Sequence, residues 1–200
     1  MRWRRGDISV VRYNEILPVF EDTKRMTEHD PYDLAVIGGG PAGYVAAIRA
    51  AQLGLKICIV EKDQYLGGTC LNVGCIPSKA LLHSTEMYHF TRHQSRAHGI
   101  EIGDIKLNLQ NLMKKKEDIV SSLRRGIETL VKNRKITIYR GLGTIPAAGS
   151  VNVSQADVIR NVTCDNIVIA TGSKVAELPS IPFDGDQVVS SDKAIAFESV

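Results

Sequence analysis

Two cysteines, Cys70 and Cys75, stand in the stretch Gly67-Gly68-Thr69-Cys70-Leu71-Asn72-Val73-Gly74-Cys75-Ile76-Pro77-Ser78-Lys79. Their spacing differs from the short C-x-x-C half-sites of structural zinc, and no second pair completes a tetrahedral set, so no metal site is expected. Two readings of the pair stay open. Either these are small packing residues that never meet, or they are a dithiol–disulfide couple across the start of a helix. In the second case the short ring would be easily reduced, and a Cys75 close to the helix N-terminus would have its thiolate favoured. Cys58 and Cys164 fall outside this stretch, in or beside apolar runs, and read as packing residues.

A second set of residues suits phosphate chemistry. Gly38-Gly39-Gly40-Pro41-Ala42-Gly43 is a G-x-G-x-x-G match carried by Gly38, Gly40 and Gly43. The first glycine permits a tight turn out of a strand, the second lets backbone approach a pyrophosphate, and the third lets helix and strand pack closely. The pyrophosphate would then sit at a helix N-terminus, where free N–H groups and the macrodipole favour negative charge. Glu61 ends the next apolar run, where its carboxylate can accept from both ribose hydroxyls. That carboxylate argues against a 2′-phosphate, but these residues alone do not separate FAD from NAD.

The elements that must position these groups follow from apolar pattern. Leu34–Ile37 reads as a buried parallel strand, Ala42–Leu53 as an alanine-rich helix ended by Gly54, and Lys56–Val60 as a second strand. Together they form one βαβ unit. A loop is expected to carry both Cys70 and Cys75, followed by a helix from about Pro77 to Phe90. Leu109–Asn133 has apolar residues at helical steps, and its Lys114-Lys115-Lys116 run reads as a solvated face. Short strands are expected at 135–139, 150–153, 158–162 and 166–170, punctuated by Gly141, Gly143 and Gly149. His29, His83, His89, His93 and His98 show no spacing that makes any of them a catalytic base.

Composition narrows the class. The 200 residues are 44% hydrophobic and 24% charged with a formal net charge of +3, which suits a globular chain and is too mild to argue for nucleic acid. No apolar run approaches the ~20 residues of a membrane span. Four cysteines are too few for a secreted disulfide scaffold, and no apolar signal region opens the chain, so a reducing, cytoplasmic setting is expected. Residues 1–30 mix basic and acidic side chains without an apolar period. They read as an N-terminal extension, either disordered or upstream of a true start at Met26.

Gly38–Gly54 followed by Gly67–His83 (GGTCLNVGCIPSKALLH) closely resembles the flavoprotein disulfide reductases, and within them the N-terminal FAD-binding part of dihydrolipoyl dehydrogenases. Glutathione reductases usually carry another residue in place of Ser78, and mercuric reductases are the nearer alternative. The resemblance implies an α/β, Rossmann-type FAD-binding domain with a small β-meander insertion over residues 31–200, C-terminally incomplete. It implies FAD bound by the glycine turn, by Glu61, Lys62, Gly68, Thr69 and Cys70, by Lys79 against the flavin ring, and by Gly143 at the adenine end. Thr171-Gly172-Ser173 would supply a further FAD contact.

In that family Cys70 would be the interchange thiol and Cys75 the thiol next to the flavin. A dithiol supplies the two electrons that a flavin accepts. The implied reaction is dihydrolipoamide + NAD⁺ to lipoamide + NADH. The implied partners are the lipoyl domains of a 2-oxo acid dehydrogenase or glycine cleavage complex, within a homodimer. No second glycine-rich turn follows, so the nicotinamide and interface domains are expected to be absent and NAD-linked turnover by these 200 residues is not expected. A non-catalytic flavin-binding fragment is the alternative.

Overall fold

Tyr32–Ile37 forms strand β1, Pro41–Gln52 helix α1 and Ile57–Glu61 strand β2, as the apolar pattern predicts. The computed structural model describes residues 31–199 of the chain. The expectation for residues 1–30 lies outside the described residues. β1 and β2 pair in parallel, with Leu34 opposite Ile57 and Ile37 opposite Val60. Their runs are continuously apolar because both sheet faces are covered. On one face Val36, Ile57 and Ile59 pack with Ala47 and Ala50 of α1 and with Leu66. On the other, Ala35, Ile37, Cys58 and Val60 pack with Val151, Val153 and Val162. The alanines matter because a small inner face lets α1 lie close to the strands it connects.

Between β2 and the long helices the structure corrects the sequence reading. Cys70 and Cys75 do not share a loop. Gly68–Val73 is a short helix, α2, and Cys75–His93 is the long helix α3, separated only by Gly74. Gly67 begins α2 with φ 107°, a left-handed conformation that glycine adopts without strain. Pro77 does not start α3 but sits in its first turn, where a missing N–H removes no intrahelical bond.

A 3₁₀ turn at Ser95–His98 leads on to α4, Leu109–Asn133, whose bounds match the prediction. The Asn108 side chain caps it by accepting from the Asn111 N–H at 2.9 Å. Val120 and Val131 are the buried residues of α4, and Val131 packs in the same core as α1.

Strand β3, Thr137–Arg140, pairs in parallel with β2. It begins two residues later than predicted, because Lys135 takes φ 57° at the end of α4. The remaining strands are β4 (Leu142–Ala147), β5 (Ser150–Gln155) and β6 (Val158–Ile169). The sequence reading missed β4 and split β6 in two. β6 is continuous because it changes partner midway: Val158–Thr163 pair antiparallel with β5, and Cys164–Ile169 pair in parallel with β1. The six strands run in the order β3-β2-β1-β6-β5-β4, an α/β sheet of Rossmann type whose antiparallel end is the expected meander. The sheet curls so that Gly143 of β4 lies against Ile37 and Val60.

Helix α5, Ser191–Ala194, follows an extended stretch. Lys116 of α4 ties it down by donating to the Ile195 carbonyl at 2.9 Å. Among the described residues no helix is long and apolar enough to cross a membrane.

Candidate dinucleotide and dithiol site

The glycine turn leaves the C-terminal end of β1 and enters α1. A Cβ on Gly38 (φ 105°) would run into the Ala170 carbonyl, and one on Gly43 would overlap the Gly38 carbonyl oxygen. These two glycines are therefore required by close packing. Gly40 is different. Its φ of −72° suits any residue, and its Cβ would reach only the Gly68 Cα at 3.7 Å. Among the described residues no other heavy atom comes within 4 Å of that Cβ position. Pro41 is the first residue of α1, no side chain caps the helix, and its first turn contains no acid. The N–H groups of Ala42 and Gly43 thus lie in an uncompensated positive helix end, a cradle that fits a phosphate.

Glu61 is buried, 6% exposed, and its carboxylate is held by backbone. The Gly39 N–H donates to Oε2 at 2.6 Å and the Asp63 N–H donates to Oε1 at 2.9 Å. Each oxygen keeps a second lone pair, so the carboxylate can still accept from a neighbouring hydroxyl. Lys62 and Thr69 are exposed on the rim of this region.

The segment 66–68 folds onto the glycine turn. The Gly67 N–H donates to the Gly39 carbonyl at 2.8 Å, and a Cβ on Gly68 would come within 2.7 Å of the Gly40 Cα. Two further expected contacts gather at the same edge. Gly143 sits over the ends of β1 and β2, where a Cβ would be 2.9 Å from Ile37 Cγ2. Thr171-Gly172-Ser173 starts beside Gly38, after the Ala170 N–H has bonded the Ile37 carbonyl at 2.8 Å, and all three residues are exposed.

Cys70 and Cys75 are free thiols, half-buried and exposed respectively. Only Gly74 separates the helix that carries Cys70 from the helix that Cys75 begins, so the two cysteines are close neighbours. The hydrogen bond that Cys70 shares with the Cys75 thiol, then burial and the nearness of a second thiolate, raise the Cys70 pKa above the ordinary thiol value. The Cys75 backbone N–H and the exposed Lys79 pull it down more weakly. Cys58 is fully buried and pushed up to about 12, by desolvation first and then by nearby Cys164. Burial raises Cys164 as well. Both therefore remain inert thiols, as expected of packing residues.

The sequence reading missed Asn72, Tyr65 and Arg124. Asn72 Nδ2 donates to the Leu66 and Gly68 carbonyls, and Arg124 of α4 donates to Asn72 Oδ1 at 2.6 Å while stacking on Tyr65. The only trace in the sequence is a polar residue between two cysteines. Nothing local links it to Arg124, far along the chain.

The chain is 50% identical over 174 residues to a dihydrolipoyl dehydrogenase of Manduca sexta, covering 87% of this chain and 35% of that protein. It is 46% identical over 172 residues to a protein of Pisum sativum named dihydrolipoyl dehydrogenase, mitochondrial, covering 86% and 34%. With a dihydrolipoamide dehydrogenase of Chaetomium thermophilum it shares 48% identity over 200 residues, covering 100% of this chain and 36% of the other. It spans about a third of the length of these relatives. Residues 32–199, which carry the glycine turn together with Cys70 and Cys75, match the family described as pyridine nucleotide-disulphide oxidoreductase, and the chain belongs to that family.

Proposed function

We propose that residues 31–200 form the FAD-binding domain of an oxidoreductase of dihydrolipoyl dehydrogenase type, with Cys70 and Cys75 as its redox couple. The observation that carries this reading is the placement of Cys70 on α2 and Cys75 at the start of α3, with only Gly74 between the helices, beside a segment packed on an uncapped, phosphate-fitting glycine turn. The names of the relatives support dihydrolipoamide as the substrate, and the family's description supports a pyridine nucleotide, here NAD⁺, as the final acceptor.

In this proposal the N–H groups of Ala42 and Gly43 bind the pyrophosphate, and Glu61 accepts from the adenosine ribose. Gly143 leaves room at the adenine end, while Lys62, Gly68, Thr69 and Thr171–Ser173 line the path between. Lys79, one turn into α3 from Cys75, faces the flavin ring. Bound FAD supplies a two-electron acceptor that takes electrons from a dithiol and returns them as hydride to NAD⁺.

The residues' own chemistry is thiol exchange. A thiolate of dihydrolipoamide attacks the Cys70 sulfur of the Cys70–Cys75 disulfide, displacing Cys75 as a thiolate. The second substrate thiolate then closes lipoamide and releases Cys70. Two electrons have entered the pair, and two protons have left the substrate thiols. Lipoyl domains as partners and a homodimer belong to the same proposal, as does a reducing compartment such as the cytoplasm.

The test is the visible absorption spectrum of the purified protein before and after stoichiometric dihydrolipoamide. A flavin band, with a long-wavelength shoulder that appears on reduction and is lost in Cys75→Ser, is the expected result. Folded protein without any flavin band, reconstituted or as purified, would refute the reading.

A further inference from the structure

Helix α2 is six residues long, and its flanking residues are Gly67 and Gly74, neither of which offers a side-chain cap. A helix this short does not hold itself together in water. Yet it carries Cys70, whereas Cys75 stands on the 19-residue α3. Something outside α2 must fix its position.

Buried Leu71 and the Gly67–Gly39 hydrogen bond anchor it in part, and the Asn72–Arg124 contact adds a bond from α4. Arg124 Nε donates to Asn72 Oδ1 at 2.6 Å. A guanidinium only donates, so this contact orients the carboxamide with Nδ2 turned to carbonyls. Both Nδ2 protons are used, to Gly68 O at 2.9 Å and Leu66 O at 3.2 Å. Arg124 is itself constrained. Nη1 pairs with Glu117 at 2.9 Å, the guanidinium carbon lies 4.3 Å over the Tyr65 ring, and the side chain is 18% exposed. One cation on α4 thus grips both ends of the segment from Tyr65 to Asn72. Cys70 lies inside that segment, and the Gly39–Gly40 turn lies against it.

We propose that Arg124, acting through Asn72, is a positioning residue that holds α2 so that Cys70 faces Cys75 for disulfide closure, and thereby sets the redox equilibrium of the pair. This rests on the redox reading of the two thiols. On closure both S–H bonds break and one S–S bond forms. Two electrons and two protons pass to the acceptor, one glutathione disulfide becoming two glutathione molecules in the test below. The bracket touches neither sulfur and acts on how often the two meet.

The experiment equilibrates the purified protein, without oxygen, against graded glutathione–glutathione disulfide mixtures. Acid quenching, alkylation and peptide mass spectrometry then give the disulfide fraction. Arg124→Met is expected to lower the equilibrium constant for closure about tenfold, equivalent to roughly 30 mV for a two-electron couple. Arg124→Lys restores part of the loss, because the charge returns without the planar fork and stack. Asn72→Asp lowers the constant too, because it keeps an acceptor for Arg124 but turns a carboxylate toward two carbonyls. Circular dichroism checks that each variant is folded. Should Arg124→Met not fold, Glu117→Gln decides, with a few-fold shift in the same direction expected. Constants within twofold of the parent in folded variants overturn the proposal while leaving the redox reading intact. A parent pair that stays reduced at every glutathione ratio overturns both.

Discussion

Replacing Gly40 by alanine separates the two kinds of glycine in the β1–α1 turn. At φ −72°, ψ −176° alanine is unstrained, and its methyl would meet only the Gly68 Cα at 3.7 Å, an ordinary contact. Two small stability effects oppose each other. Alanine caps a helix less well than glycine by about 0.5–1 kcal/mol, while loss of glycine freedom in the unfolded chain returns about 0.4–1 kcal/mol. The net change is within about 1 kcal/mol, or about 2–4 °C in Tm for a domain of this size.

The methyl would nevertheless stand where a phosphate must approach the N–H groups of Ala42 and Gly43. Losing one charge-assisted hydrogen bond there costs about 1.5–3 kcal/mol, or roughly ten- to hundredfold in flavin affinity. Gly43→Ala makes the contrast, because its methyl overlaps the Gly38 carbonyl and comes 3.3 Å from Val36 Cγ1. That overpacking costs about 1–3 kcal/mol even without flavin. Thermal unfolding of the flavin-free protein and fluorescence titration with FAD measure the two quantities separately. A Gly40→Ala protein that binds FAD like the parent, or that unfolds as early as Gly43→Ala, would refute the assignment of Gly40 to the phosphate.

Two more outcomes follow from buried groups. Glu61→Gln keeps the shape but turns an NH₂ toward either the Gly39 or the Asp63 N–H, leaving a buried donor unmet. The expected loss is about 1–3 kcal/mol, visible as an earlier melt of the flavin-free protein, and an unchanged melt would contradict it. Cys58 contributes a pH dependence. Its unfolded thiol ionises near 9.0 and its folded thiol at about 12. The raised pKa means that this contribution is whole below pH 9 and is lost as pH climbs toward 12, by about 1.4 kcal/mol per pH unit. In urea titrations with reductant, the stability gap between parent and Cys58→Ala should narrow by about 1.6 kcal/mol from pH 9 to 10.5. A gap constant over that range would show that the thiol does not ionise differently on unfolding.

Much of the architecture is legible in the chain itself, for identifiable reasons. β1, α1 and β2 announce themselves because both strand faces are buried and the helix between them is built of alanine, and α4 because its apolar stripe persists over 25 residues. What escapes notice depends on partners distant in sequence. β4 reads as punctuation because Gly143 and the flanking Gly141 and Gly149 look like turns, yet Gly143 is small in order to lie on Ile37 and Val60. β6 reads as two strands because Thr163-Cys164-Asp165 looks like an interruption, while in space it is the point where the strand exchanges β5 for β1. The candidate site divides in the same way. The glycines and cysteines are local motifs and can be read, whereas the Asn72–Arg124 bracket spans 52 residues and has no local mark.

The strand order explains why two motifs separated in sequence end in one place. From β1 the chain crosses through α1 to β2 on one side, and β6 comes back to the other side. Loops leaving β1 and β6 therefore diverge from a shared edge, the kind of switch point where open α/β sheets bind ligands. Gly38 and Ala170 are the first residues beyond these strands, and Gly38 must lack a side chain because the Ala170 carbonyl occupies that position. Glu61 ends β2 at the same edge and reaches back to the Gly39 N–H. The dithiol follows from this geometry without a strand of its own. The chain leaves β2 at that edge, closes on Gly39 and Gly40 through Gly67 and Gly68, and turns directly into α2, which carries Cys70. A fold that pinned the segment elsewhere would separate the two cysteines from the glycine turn, whatever its sequence motifs.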